Sequence, residues 1–161
     1  MNYQDEIKQF ARYPLNMGES YLNLGLMGEI GELAELCKKC LRRGDTLGVL
    51  VGDERVALEL GDVLWYAFML ANERGHRVSL NVTLVQYMPG DVPEIMVGVC
   101  RTLRDIFDGD DSAIDALIGA VYFISNAFGF TLKAICEMNL AKLRERHEAG
   151  TIVDRNENGE S

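Results

Sequence analysis

The chain lacks the features that would place it in several other classes of protein. No basic segment followed by an apolar run marks a signal peptide, and the apolar run at residues 63–71 is too short to span a bilayer. Basic residues are also scarce, since 16 Lys and Arg against 25 Asp and Glu give a net charge of −9. Such a charge argues against a nucleic-acid backbone as the main partner. These absences together predict a cytoplasmic protein that binds neither nucleic acid nor a membrane.

Two kinds of metal site are disfavoured by missing ligands. Cys37 and Cys40 have the spacing of a zinc-ligand pair, but no second such pair and no paired histidines complete a tetrahedral set. Both cysteines fall on the apolar stripe of a predicted helix, so packing in a protein core explains them. No Glu-x-x-His occurs in the sequence, which disfavours a di-iron carboxylate bundle.

The first informative segment is a predicted helix at residues 22–43. Its apolar residues recur at three- and four-residue steps and form one stripe: Leu22, Leu26, Ile30, Leu33, Cys37 and Cys40. At 100° per residue, Glu29 lies on the edge of that stripe and Glu32 lies one step further along the same flank. Gly28 and Gly31 cost this helix about 0.5–1 kcal/mol each relative to alanine, and they leave room beside the carboxylates for a close neighbour.

The second informative segment, residues 53–74, predicts a helix that is apolar on all sides and therefore buried. Glu59 and Asp62 sit inside it, three residues apart and on one face. Ionised carboxylates are too costly to bury without a partner, so these two must be paired, protonated or bound to metal. Together with Glu29 and Glu32 they would form an oxygen-rich site suited to Mg²⁺ or Mn²⁺.

Less specific interpretations exist for the same acids. Glu29 and Glu32 would be a solvated helix flank, beside a Glu35 that pairs with Lys38 or Lys39. Glu59 would pair with Arg55, although that pairing leaves Asp62 without a partner. The joint occurrence of two acid pairs on two adjacent helices favours metal binding.

The order of these motifs resembles the all-alpha nucleoside triphosphate pyrophosphatases, the MazG-like group. Glu29-x-x-Glu32, a spacer, and Glu59-x-x-Asp62 are similar to the metal motif of that family, and Asn139-x-x-Lys142 is similar to a third motif near its C-terminus. Some members carry another Glu at the position of Gly28. The resemblance covers roughly residues 20–75 and 129–148.

The resemblance implies a fold, a reaction and a set of site residues. The fold would be an all-α helical bundle with an extra central helical insertion, and the reaction would convert a (d)NTP to the (d)NMP and pyrophosphate. The metal ligands for Mg²⁺ would be Glu29, Glu32, Glu59 and Asp62. Glu32 would also be the general base, Lys142 would act on the leaving pyrophosphate, and Asn139, Lys142 and Arg146 would bind the substrate. A homodimer or a higher homo-oligomer is expected as well.

The rest of the chain completes the predicted bundle. We predict one domain over residues 1–150 and a flexible polar tail over 151–161, with a short amphipathic helix ending at Pro14. Residues 78–87 are expected to form a loop or irregular helix, and residues 88–91 a turn. A central helical pair breaks at 108–110 and restarts after Asp111 or Ser112, and a last helix begins near Thr131.

One segment of the central pair resembles the second acidic helix. When Gly75 is aligned with Gly129, an offset of 54 residues, Leu70 falls over Ile124 and Asn72 over Asn126. The acids of the second helix are replaced by alanines in this register.

Other functions remain open at this point. Hydrolysis of dUTP or of phosphoribosyl-ATP belongs to the same superfamily. A different class of answer is a non-catalytic helical scaffold or regulator whose acids are ion-paired and whose apolar helices mediate assembly. Trp65 and Tyr66 could stack on a base, but core packing is the simpler explanation for both.

Overall fold

The computed structural model of the protein describes residues 3–79 and 92–151. Its helices are α1 (Tyr3–Glu6), α2 (Gly18–Arg42), α3 (Glu54–Glu73), α4 (Val92–Phe107), α5 (Asp111–Ala127) and α6 (Leu132–Glu148). Short 3-10 turns lie at Ile7–Phe10, Leu15–Met17 and Leu47–Leu50. No strand occurs within the two described ranges, so the predicted all-α fold class is confirmed. The predicted loop and turn at residues 80–91 and the tail at 152–161 lie outside the described residues.

Helix α3 is the centre of the molecule. It packs most extensively against α2 and also lies against α5 and α6. More than half of its residues are buried, and they point in every direction around the helix, as the sequence pattern predicts. Asp53 caps its N-terminus by accepting a hydrogen bond from the backbone N–H of Arg55.

Helices α2 and α3 form the hairpin that carries the acidic motifs. The apolar stripe predicted for α2 is buried against α3, which leaves Glu29 at the edge of the contact. The chain between the two helices is short enough that they run antiparallel along each other. Consequently the middle of α2 faces the first half of α3, where Glu59 and Asp62 lie.

The predicted central helical pair is confirmed as α4 and α5, which pack against each other. Helix α5 begins one residue earlier than predicted, because Asp110 is its N-cap and accepts a hydrogen bond from the backbone N–H of Ser112 at 2.9 Å. Helix α6 begins after the N-cap Thr131, as predicted. It lies against α3 and places Asn139 and Lys142 over the acidic hairpin.

The N-terminal segment closes the same side of the bundle. Tyr3, Ile7 and Phe10 are buried, and the segment packs against α3 and α6. Within the described residues no single helix is long and apolar enough to cross a membrane. Helices α5 and α6 reach the required length and composition only as a pair, and the two are bent by 99° relative to each other.

Candidate active site

Three carboxylates converge where α2 meets α3. Glu29 comes from α2, and Glu59 and Asp62 come from one face of α3. One oxygen of each carboxylate lies within 4.8 Å of the others, and all three residues are half-buried. This spacing places three hard oxygen donors around a volume in which one cation could contact all of them.

Glu32 lies beside this group and is not a member of it. Its residue is exposed, on the outer flank of α2. Its charge nevertheless reaches the cluster, because it is among the causes that raise the pKa of both Glu29 and Glu59. The structure therefore brings three of the four predicted metal ligands together and leaves the fourth at the rim.

The raised pKa of Glu29 shows that its ionised form is unfavourable within the cluster. Burial raises this pKa from 4.5 to about 7, with further contributions from Asp62, Glu32 and Glu59. The pKa of Glu59 is raised in the same direction, first by burial and then by Glu32 and Asp62. A divalent cation bound between the carboxylates would stabilise the ionised forms of Glu29 and Glu59.

Two side chains of α6 contact the Asp62 carboxylate. Its Oδ1 accepts a hydrogen bond from Asn139 Nδ2 at 3.0 Å, and its Oδ2 is paired with the ammonium group of Lys142. Asn139 is only 2% exposed, and its Oδ1 accepts a hydrogen bond from the Tyr3 hydroxyl at 2.7 Å. Both ends of the Asn139 amide are thus occupied within the protein, and the side chain lies behind Asp62.

Close packing between α3 and α6 makes this arrangement possible. A Cβ added to Gly61 would lie 3.1 Å from the Cβ of Asn139. Glycine at this position lets the Asn139 side chain approach the α3 backbone and reach the neighbouring Asp62.

A cavity of about 250 Å³ opens beside the acids. Glu29 and Asp62 line one part of it, and Arg146 lies on its rim. The remaining lining residues are mostly aromatic, with one arginine, one leucine and one threonine: Phe10, Arg12, Tyr21, Trp65, Tyr66, Leu143 and Thr151. The combination of acids, arginines and aromatic rings gives the cavity the composition of a site for an aromatic anion.

The aromatic residues of the cavity form a contiguous group. The rings of Trp65 and Tyr66 meet edge to face at 4.8 Å, and those of Tyr21 and Tyr66 lie 6.3 Å apart. Trp65 and Tyr66 also pack against the core, so these two side chains contribute to core packing and line the cavity as well. The indole N–H of Trp65 is buried and has no hydrogen-bond partner among the described residues.

The less specific interpretations of the acids have mixed outcomes. Glu35 does pair with Lys38 and, at 3.6 Å, with Lys39. Arg55, in contrast, pairs with Asp53 at 2.6 Å and therefore does not explain Glu59.

Some of the cavity and second-layer residues were not predicted from the sequence, and they differ in how predictable they were. Tyr21 could have been found, because it precedes Glu32 by eleven residues and so falls on the same flank of α2. Tyr3 and Arg12 carry no such signal, since they come from a segment that meets the site only through tertiary packing.

The residues present fit a divalent cation. Carboxylates are the ligands that Mg²⁺ and Mn²⁺ prefer, and in the described part of the chain Glu29 and Glu59 form no ion pair with a basic side chain. The ammonium group of Lys142 lies on Asp62 alone, so the cluster keeps an excess of negative charge.

Comparisons with known proteins agree with the sequence motifs. Residues 18–88 match the family model of the MazG nucleotide pyrophosphohydrolase domain, which confirms the MazG-like resemblance. The Gene 37 protein of Mycobacterium phage L5 is 50% identical over 58 residues. That match covers 35% of this chain and 49% of the phage protein, so the chain spans about half the length of this relative. No solved structure was found to match the chain.

Proposed function

We propose, from the MazG membership of residues 18–88, that the chain is a divalent-metal-dependent nucleoside triphosphate pyrophosphohydrolase. The reaction would add water to the α-phosphorus of a (d)NTP, break its bond to the α,β-bridging oxygen, and release the (d)NMP and pyrophosphate. The observation that supports this best is the convergence of Glu29, Glu59 and Asp62 beside a cavity lined by aromatic and basic residues.

Glu29, Glu59 and Asp62 would hold Mg²⁺, or Mn²⁺ in its place, with Glu32 available as a further ligand from the rim. When bound, the cation supplies charge neutralisation of the triphosphate and Lewis-acid polarisation of the α-phosphoryl group. Without such neutralisation, a polyanion would be repelled by the acids and by a chain of net charge −9.

Basic side chains near the acids would bind the phosphate groups of the substrate. Lys142 already lies on Asp62 and can donate to a phosphate oxygen close to the acids. Arg146 and Arg12 also line the cavity, and arginine suits bidentate contact with phosphate. In this arrangement Lys142 steadies the leaving pyrophosphate. Asn139 supports the site by orienting Asp62, because its amide is already occupied on both sides.

Glu32 is the proposed general base. It is exposed at the edge of the cluster, so it can reach a water molecule approaching from solvent. Its carboxylate would take the proton of that water during attack on the α-phosphorus.

The base of the nucleotide would lie against Tyr21, Trp65 and Tyr66. Aromatic rings stack on any base, and the buried Trp65 indole N–H would donate to an acceptor on the substrate. These aromatic residues are compatible with a general (d)NTP substrate and also with dUTP or phosphoribosyl-ATP, the alternatives within the superfamily.

An assay of products tests the proposal directly. The pure protein is incubated with Mg²⁺ and a panel of nucleotides, and pyrophosphate and orthophosphate are measured separately. We expect pyrophosphate from at least one triphosphate. The Glu59→Gln variant should lose this activity, whereas Glu54→Gln, an exposed acid in the first turn of the same helix, should keep it. Full activity in Glu59→Gln would contradict the proposal.

A non-catalytic scaffold with ion-paired acids is the second candidate, and the pairing of Asp62 with Lys142 favours it. Calorimetric titration with Mg²⁺ separates the two. An enzyme should bind Mg²⁺ in the wild type and lose that binding in Glu59→Gln. A scaffold should show no binding that depends on Glu59. A cytoplasmic location fits either candidate and remains part of the proposal.

A further inference from the structure

The two side chains of α6 that contact Asp62 differ in how firmly they are held. Asn139 is 2% exposed, its amide is hydrogen-bonded on both sides, and its Cβ lies against Gly61. The Lys142 side chain is 20% exposed, and among the described residues its ammonium group has Asp62 as its only ion-pair partner. Lysine also carries its charge on a flexible four-carbon chain. The contact from Asn139 is therefore fixed, whereas the contact from Lys142 can be exchanged.

The Lys142 ammonium group uses negative charge that a cation would also need. Of the two Asp62 oxygens, Oδ1 accepts a hydrogen bond from Asn139 at 3.0 Å and Oδ2 is paired with Lys142. Burial and neighbouring carboxylates raise the pKa of Glu29 and of Glu59, and the charge of Lys142 opposes the rise at both. Lys142 thus acts as a counter-ion for all three acids. A divalent cation among these carboxylates would compete with it.

The two positive charges would not remain side by side. An ammonium group and a divalent cation on the same carboxylate would lie within about 4 Å of each other, where like charges in a half-buried site repel strongly. The position of the cation is set by carboxylates on α2 and α3, whereas the ammonium group can move by rotation of its own side chain. We therefore expect metal binding to move the ammonium group away from Asp62.

The cavity gives the ammonium group a second position. In the described part of the chain Lys142 is not among the residues that line the cavity, since its ammonium group lies on Asp62 instead. Arg146 does line the cavity, and it follows Lys142 by four residues on the same face of α6. Rotation of the Lys142 side chain toward Arg146 would bring its ammonium group to the cavity. A phosphate group bound there would accept a hydrogen bond from it.

We propose that Lys142 exchanges its partner when metal binds: its ammonium group pairs with Asp62 in the metal-free protein and transfers to a phosphate oxygen of the substrate once a divalent cation is bound. The inference rests on the proposed metal-dependent function. The ammonium group keeps its proton throughout, so only a hydrogen bond is exchanged. Binding of metal and of phosphate becomes cooperative, because metal binding releases the group that then holds the phosphate.

The exchange reverses the sign expected for a mutation of Lys142. Loss of a residue that only supports a metal ligand typically weakens metal binding by about 10- to 100-fold. Loss of a competing charge should strengthen it. Lys142→Met removes the charge and keeps an unbranched side chain, so it should bind Mg²⁺ about tenfold more tightly than the wild type, within the range usual for coupled sites. Titration calorimetry without nucleotide measures this difference.

Lys133→Met is the matched control for this variant. Lys133 also belongs to α6, but it precedes Lys142 by nine residues and so lies on the opposite face. Its side chain is 82% exposed and lies 3.7 Å from Glu137. The control removes the same charge from the same helix and should leave Mg²⁺ affinity unchanged. Lys142→Arg keeps a charge beside Asp62 and should not gain affinity. Circular dichroism checks that all three variants are folded.

Chemical labelling follows the ammonium group in the wild type, without any variant. Reductive methylation with formaldehyde modifies accessible amino groups, and peptide mass spectrometry gives its extent at each lysine. Lys142 should react slowly while it is paired with Asp62. Adding Mg²⁺ should raise its labelling several-fold, and adding pyrophosphate together with Mg²⁺ should lower it again. Lys133 is the internal reference and should react equally under all three conditions.

The outcomes separate this inference from the function on which it rests. Mg²⁺ affinity that is unchanged or weaker in Lys142→Met would overturn the exchange and leave the metal site intact. Labelling of Lys142 that does not respond to bound Mg²⁺ would do the same. Absence of Mg²⁺ binding by the wild type would overturn the metal site itself, and the exchange with it. Tighter binding in Lys142→Met together with Mg²⁺-dependent labelling would support both.

Discussion

At the residue scale, one buried amide connects distant parts of the chain at the active site. Asn139 accepts a hydrogen bond from Tyr3 and donates one to Asp62, and Tyr3 and Asn139 are 136 positions apart in the sequence. If Asp62 is a metal ligand, as proposed, these partners would fix its orientation, and the loss of such partners typically weakens metal binding by about 10- to 100-fold. We therefore expect Tyr3 to contribute to the proposed metal site although it does not line the cavity.

Replacing Tyr3 with phenylalanine should show this connection. The ring keeps its edge contact with Phe68, whereas Asn139 Oδ1 loses its hydrogen-bond donor. We expect the free energy of unfolding in urea to fall by about 1–2 kcal/mol, the cost of one buried unpaired acceptor. Calorimetry should show weaker Mg²⁺ binding in the same variant, because Asn139 is then free to turn away from Asp62.

Tyr13→Phe is the matched control for this experiment. The Tyr13 hydroxyl also donates a hydrogen bond to another side chain, the carboxylate oxygen Glu73 Oε1, but at an exposed position away from the acids. It should leave Mg²⁺ affinity unchanged. Equal Mg²⁺ affinity in wild type and Tyr3→Phe would remove Tyr3 from the site.

The raised pKa of Glu29 predicts a pH dependence of stability in the metal-free protein. The folded protein holds this proton up to about pH 7, whereas an unfolded chain releases it near 4.5. The folded state therefore binds more protons in this window, so the free energy of unfolding falls as pH rises from 4.5 to 7. A shift of this size would give about 3 kcal/mol at a fully buried group, and solvent screening at half-buried Glu29 reduces it to about 1–2 kcal/mol.

Urea unfolding of the wild type and Glu29→Gln at a series of pH values measures this effect. The stability difference between them should change through that window and level off above pH 7. The apparent Mg²⁺ affinity of the wild type should rise over the same window, because metal and proton compete for Glu29. A stability difference that is constant from pH 4.5 to 7 would contradict the assignment.

At the element scale, the glycines of α2 lie on different sides of one helix. Gly25 faces inward and is covered by the Tyr66 ring, whereas Gly31 faces open space. The prediction that Gly28 and Gly31 leave room for a close neighbour is not met within the described residues, because a Cβ at either position would meet nothing within 4 Å. The glycine of α2 that does have a close neighbour is Gly25, and the sequence alone does not show this, because it depends on the position of α3.

Gly25→Ala and Gly31→Ala should therefore have opposite effects on the monomer. In Gly25→Ala the new methyl group displaces the Tyr66 ring, and we expect a loss of about 1–3 kcal/mol in stability together with weaker nucleotide binding. In Gly31→Ala the helix gains about 0.5–1 kcal/mol. Urea unfolding at the lowest practical protein concentration measures both, and a loss in Gly31→Ala would show that the chain itself fills this space.

Helix ends were predicted well where one residue carries the signal. The starts predicted at residue 53 and near Thr131 are confirmed, and Asp53 and Thr131 are the N-caps because their side chains accept hydrogen bonds from nearby backbone N–H groups. The alignment of Gly75 with Gly129 also has a structural counterpart. Both have positive φ, and in both turns the residue after the glycine donates its N–H to a carbonyl five positions back, at 2.8 Å. The start of α5 was misplaced because three aspartates in four residues compete for one cap.

At the scale of the whole molecule, the region that matches the MazG family is not self-sufficient. Helix α3 is apolar on all sides, and α5 and α6 cover the part of its apolar surface that α2 does not contact. A fragment of residues 18–88 would expose that surface to water. We expect the fragment to unfold without a cooperative transition and to bind a hydrophobic dye, whereas the full chain should melt cooperatively. Cooperative thermal unfolding of the fragment would contradict this.

The sequence predicted the parts of the site that lie on single helices. Glu29, Glu59 and Asp62 follow from helical spacing and from the cost of burying charge, and the structure brings them together. What it could not predict depends on contacts between distant segments. His76, for example, is half-buried and its Nε2 lies 3.1 Å from Asp115 Oδ1, a contact 39 positions along the chain that its local sequence does not indicate. Tyr3 was missed for the same reason.

The hydrogen bond between Tyr3 and Asn139 has a consequence for biosynthesis. A ribosome makes Tyr3 and Asp62 long before it makes α6, so a nascent chain holds the acids of the hairpin with neither Asn139 nor Lys142 beside them. Asp62 can form its contacts with Asn139 and Lys142 only after α6 has been synthesised. The proposed metal site is therefore complete only after α6 has been synthesised and has packed against the hairpin.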